Sequence, residues 1–103
     1  MKQNTYQITV TPLTNANNEP VTAESLSFKA RNHDDLFSIV ERIKSRELLS
    51  ADDSAAFAVG LKLFSEIVLE NRDKPFFQEL GPQVAVIMKV IKGGKPSQHL
   101  TIL

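Results

Sequence analysis

The sequence predicts an α+β fold in one domain: an N-terminal antiparallel β-hairpin followed by two to four helices on one core. Three observations predict it. Apolar and polar residues alternate from Tyr6 to Val10 and again from Leu26 to Ala30, turn-forming residues separate the two runs, and helical spacing takes over from Leu36 onward. The chain has 103 residues, 42% apolar and 23% charged. That balance suits a single globular domain over residues 1–103 and argues against a disordered or coiled-coil chain.

Tyr6, Ile8 and Val10 alternate with Gln7, Thr9 and Thr11, the period of a strand with one buried face. Asn15 to Pro20 is dense in residues that tolerate turn geometry, and Leu26, Phe28 and Ala30 then repeat the alternation, so the second strand returns antiparallel to the first. Asn32 is expected to cap the next helix, with Asp34 and Asp35 in the first turn at the positive end of the dipole. Leu36, Val40 and Ile43, flanked by Phe37 and Ile39, form its apolar face. Ser50, followed by Asp53, opens a second helix across Ala55 to Glu70. On it, Lys62, Glu66 and Glu70 make a polar stripe expected to meet solvent. Phe57, Leu61, Phe64 and Val68 form one apolar face and Leu63 and Ile67 another, so most of the helix should be covered.

Gly60 costs such a helix about 1 kcal/mol relative to alanine, and its place four residues after Ala56 suggests that another backbone approaches there, with a chance occurrence as an equal alternative. A short helix is expected over Phe76 to Leu80, an interruption at Gly81 and Pro82, and a last helix over Pro82 to Lys92 ending at Gly93 and Gly94. The β-branched residues between Val84 and Ile91 also fit a strand. Residues 93–103 read as a tail, or as an edge strand over His99 to Leu103.

Twelve Lys and Arg balance twelve Asp and Glu, so no global field draws the chain to nucleic acid or an anionic membrane. Without cysteine there is no disulfide, zinc-thiolate site, iron–sulfur cluster or thiol nucleophile. Met1 to Val10 lacks the apolar run of a signal peptide, and Ala55 to Leu69 is too short and too charged to span a bilayer. A cytoplasmic location is the expectation.

The first place to look for chemistry is His33, Asp34 and Asp35, since imidazole and carboxylates are the metal ligands and acid–base groups that remain. Three successive residues entering a helix would point about 100 degrees apart, so capping is the preferred reading and no metal or cofactor is expected. Glu66 and Glu70 lack the Glu-x-x-His partners of a bundle metal site, and Lys62 and Lys74 are their expected neighbours. The serines lie outside any Gly-x-Ser-x-Gly turn. Lys92-Gly93-Gly94-Lys95 reads as a helix cap and turn, not a phosphate loop. Arg42 and Arg46 could meet phosphates but are interleaved with Glu41 and Glu47. Phe57, Phe64, Phe76 and Phe77 read as core.

The segment Asn32 to Phe37, with Ile39 to Arg42 behind it, and the stretch Ala55 through Phe77 resemble a family of short bacterial proteins known only as a domain of unknown function. The resemblance reaches from the first strand to about Lys89, and the Glu70-Asn71-Arg72 helix end is its most specific part. It implies a bacterial cytoplasmic protein of small α+β fold, with no activity or site residues to carry over.

With polar groups dispersed along the chain, the leading functional expectation is a non-catalytic protein-interaction or regulatory module that is not an enzyme. The alternative is a small-ligand-binding protein or enzyme with a site near His33, Asp34 and Asp35, favoured by a deep pocket lined by His33 or Glu66. A nucleic-acid role through Arg42 and Arg46 comes last. A homodimer is expected, with Ala56, Gly60, Leu63 and Ile67 as interface candidates, because nearly all-round apolar helices exceed what one small core can hide.

Overall fold

The computed structural model describes residues 2–93. Its element order is β1 (Asn4–Val10), β2 (Leu26–Asn32), α1 (Leu36–Ser45), α2 (Ala51–Glu70) and α3 (Pro75–Ile91), the hairpin-then-helices arrangement of an α+β fold. The edge strand considered for His99 to Leu103 lies outside the described residues.

The two strands pair antiparallel with Tyr6 opposite Ala30 and Ile8 opposite Phe28. Directly opposed residues share a face, so the alternating apolar residues all project to one side. On the other side, the hydroxyls of Thr9 and Ser27, and of Thr11 and Ser25, pair at 2.9 Å. The turn is organised by Asn15, whose side-chain oxygen accepts from the backbone N–H groups of Asn17 (2.9 Å) and Glu19 (3.0 Å). Asn18 takes a left-handed φ of 62° that asparagine tolerates.

Asn32 does not cap α1. It is the last residue of β2 and fully buried, its amide donating to the Lys62 carbonyl of α2 at 2.9 Å while its side-chain oxygen accepts from the Asp34 N–H at 3.0 Å. Pairing continues two residues beyond the apolar alternation, which moves the helix start. Asp35 is the cap, accepting from Phe37 N–H at 3.0 Å, so Asp34 and Asp35 precede the helix and do not occupy its first turn.

Ser50 caps α2 as expected, accepting from Asp53 N–H at 3.1 Å, and the helix opens at Ala51. Its orientation is the main correction. Ser54, Ala58, Lys62 and Glu66, a stripe of four-residue spacing, are buried together with Val68, whereas Phe57, Phe64 and Ile67 are 40–49% exposed. Lys62 and Glu66 of the polar stripe expected at the surface face inward while Glu70 stays exposed, and of the expected apolar cover Val68 is buried but Phe57, Phe64 and Ile67 are on the outside. Of the phenylalanines read as core, Phe76 is 69% exposed as well.

Pro75 begins α3, and the helix continues through Gly81 and Pro82 to Ile91 with no break. A proline removes one helical N–H and crowds both the carbonyl four residues back and the side chain of the residue before it. Gly81 has no side chain to crowd, which lets the helix absorb Pro82. The strand alternative for Val84 to Ile91 is thereby excluded. Lys92 and Gly93 end the helix, Gly93 at a φ of 67°. The apolar core is small: Ile43 and Ala58 meet at the α1–α2 contact, with Ile39, Val40 and Ile91 packed around them. Helices α1 and α3 both pack on α2 without comparable packing against each other.

Candidate functional site

Because α1 and α3 splay apart on α2, a cleft of about 740 Å³ opens between them, within the range of small-molecule sites. Its apolar walls come from Ile39 and Ile43 of α1 and from Val84, Met88 and Ile91 of α3, and α2 contributes Leu61, Lys62, Ser65, Glu66 and Leu69. His33 and Asp34, in the link from β2 to α1, complete the lining on one side.

Each polar side chain here is placed by local structure. The last pair of the sheet, Asn4 opposite Asn32, brings the link against the middle of α2. The Asn4 side chain donates to the Asp34 carbonyl at 3.1 Å, and the Tyr6 hydroxyl donates to the same carbonyl at 3.3 Å while accepting from Leu36 N–H at 3.1 Å. These bonds hold residues 33 and 34 in a non-helical bend, so the fan of directions expected for a helix does not apply. His33 Nδ1 donates to Glu66 Oε1 at 2.7 Å, and Lys62 Nζ pairs with Asp34 Oδ2 at 2.6 Å. His33 Nε2 lies 3.6 Å from the same Asp34 oxygen. The Gln3 amide donates to Glu66 Oε2 at 2.8 Å and also to Glu70, which Arg31 binds at 2.8 Å.

Lys62 and Glu66 are only 6% and 2% exposed. Buried charges are costly unless paired, and here each is paired across to the β2–α1 link. The hydrogen bond from Lys62 holds the Asp34 carboxyl below its ordinary range against an opposing desolvation effect, and the Arg31 bond does the same for Glu70. Glu66 and Lys62 are therefore not part of a solvated stripe, whereas Glu70 and Lys74 are exposed.

The candidates separate as follows. His33 and Asp34 line the cleft, while Asp35 is spent as the α1 cap. Arg42 and Arg46 line the cleft as well, with Arg72 and Lys92. Among the described residues no group of three or more His, Asp or Glu is arranged to hold a metal ion. Ala56 and Gly60 lie exposed on the outer side of α2, Leu63 and the half-exposed Ile67 sit beside Phe28 and Ala30 of β2, and nothing stands within 4 Å of where a Cβ on Gly60 would be. The close backbone approach expected at Gly60 is absent among the described residues. Lys62, Asn32 and Tyr6 were missed as site residues, while Glu66 lines the cleft as the ligand-binding alternative required. The available signal was four-residue spacing of Ser54, Ala58, Lys62 and Glu66, small and polar residues on one face of a helix otherwise too apolar to need a wet side.

A hairpin followed by three helices, with a charged network buried between the hairpin link and the second helix, defines the class of small α+β protein to which this chain belongs. Residues 4–93 match the model of the family DUF3861, a domain of unknown function with a solved structure, and the chain belongs to that family. It is similar to the crystal structure of a protein of unknown function from Pectobacterium atrosepticum, at 33% identity and a TM-score of 0.74, over 89% of this chain and 99% of that one. A comparison with curated proteins gave no match. No helix among the described residues is long and apolar enough to cross a membrane.

Proposed function

We propose that the protein is a non-catalytic module that binds a small organic ligand in the cleft between α1, α2 and α3. The observation that supports this best is the burial of Lys62 and Glu66 in the lining of an open cleft, where they are joined by His33 and Asp34. A helix that turns its charged residues inward and its phenylalanines outward gives up apolar burial, and a polar binding surface accounts for that loss. A non-catalytic role fits the partners of His33: among the described residues its ring nitrogens meet the carboxylates of Glu66 and Asp34, so no hydroxyl is set up for activation. Arg42 and Arg46, on which a nucleic-acid role would rest, line this cleft and suit a small ligand better than a polymer backbone. A cytoplasmic setting agrees with a cysteine-free chain.

The test is binding of Nile red, a neutral apolar dye. Saturable fluorescence from the wild-type protein, lost in Met88→Arg with the melting temperature held, is the expected result. Dye binding indifferent to Met88→Arg would contradict a ligand site in the cleft.

One observation favours the protein-interaction reading in addition. The outer side of α2 carries Phe57, Gly60, Phe64 and Ile67, all exposed, and we propose that a second copy packs there. Gly60 supports this partner, because its open Cβ position leaves room for Phe64 of an antiparallel α2.

A further inference from the structure

We infer that the ligand of the cleft is a small organic carboxylate with an apolar body, an inference that rests on the ligand-binding reading above. Lys62 carries the argument. Its ammonium has three donors, its side chain is 8% exposed, and among the described residues Asp34 is its one ion-pair partner. A buried ammonium with donors left over in the lining of a cleft calls for an acceptor that enters from the cleft.

The charges around it favour an anion. Lys92 lies near enough to Asp34 to stabilise its charge, and Arg42 and Arg72 also line the cleft. The two lining carboxylates are already engaged, Asp34 by Lys62 and Glu66 by His33 and Gln3. A cationic ligand would therefore meet an excess of like charge, and a neutral one would accept from Lys62 without the strength that an anionic acceptor adds. An anion supplies acceptors to Lys62 at a buried ammonium, where a charge-assisted bond is stronger than at the surface. The apolar walls, Ile39 on one side and Val84 and Met88 on the other, select against inorganic phosphate, which has nothing to place on them. A carboxylate on a chain or ring of a few carbons satisfies both ends.

Three six-carbon competitors for Nile red, matched in length and used at equal ionic strength, separate the possibilities: hexanoate, hexanol and hexylamine. Hexanoate should displace the dye at concentrations at least about tenfold below hexanol, the value of one charge-assisted contact, with hexylamine weakest. Lys62→Met should bring hexanoate to the level of hexanol without changing hexanol itself. Arg42→Gln, on the exposed side of α1, should weaken hexanoate several-fold and guards against a folding defect in the first variant. If hexanol or hexylamine competes as well as hexanoate, the carboxylate inference is overturned while the ligand site stands. If Nile red shows no saturable binding, the ligand-binding reading fails and this inference with it.

Discussion

Asp34 and Asp35 are neighbours with opposite duties. Asp35 caps α1, a task asparagine performs equally well, so Asp35→Asn should change stability by less than about 0.5 kcal/mol. Asp34 neutralises buried Lys62, so Asp34→Asn should cost about 2 kcal/mol at neutral pH in urea unfolding, less than for a fully buried pair because Asp34 is partly exposed. The pH dependence follows from the same pair. The folded-state pKa of Asp34 lies below its unfolded value, so the pair's stabilisation is present above roughly pH 4 and is lost as pH falls through the folded value. Asp34→Asn should therefore flatten the acid side of the stability profile, and an unchanged slope would show that the pair contributes nothing. Ser54 offers a contrary case. Its hydroxyl is fully buried without a hydrogen-bond partner among the described residues, so Ser54→Ala should stabilise the protein by about 1 kcal/mol in the same measurement. Sequence reasoning singled out His33 and Asp34 but gave them helical geometry, because nothing local shows that β2 runs on to Asn32.

At the scale of elements, the hairpin, its turn and the cap of α2 were legible because each is written in adjacent residues: the alternation, the asparagines, the Ser50–Asp53 spacing. The facing of α2 was not. Its apolar residues occupy more than one side, so periodicity offered several inward faces, and the choice was made by partners far away in the chain, Asn32, His33 and Asp34. Helix α3 shows a different limit, since a Gly-Pro pair reads as a break although the glycine removes one of the clashes that would cause it. Pro82 still forfeits an N–H to the Gln78 carbonyl. Pro82→Ala should accordingly raise the thermal midpoint, with a gain of up to about 3 kcal/mol, and a fall would mean that the proline holds a bend that packing requires.

At the scale of the whole molecule, the chain has an apolar outer side, where Phe64 and Ile67 are exposed, and a charged inner one, where Lys62 and Glu66 line a cleft. Association through the outer side predicts a species of twice 11.5 kDa in sedimentation at micromolar concentration, converted to the single chain by Ile67→Lys. A single-chain species at all concentrations would leave that side without a second copy. The inner side carries the central claim, and amide NMR shifts on titration with hexanoate test it most directly. Shifts concentrated at His33 and Asp34, around Lys62 to Glu66 and around Val84 to Met88, with Phe57 and Gly60 unmoved, are the predicted result. Shifts confined to the outer residues of α2, or none at saturating hexanoate, would contradict it.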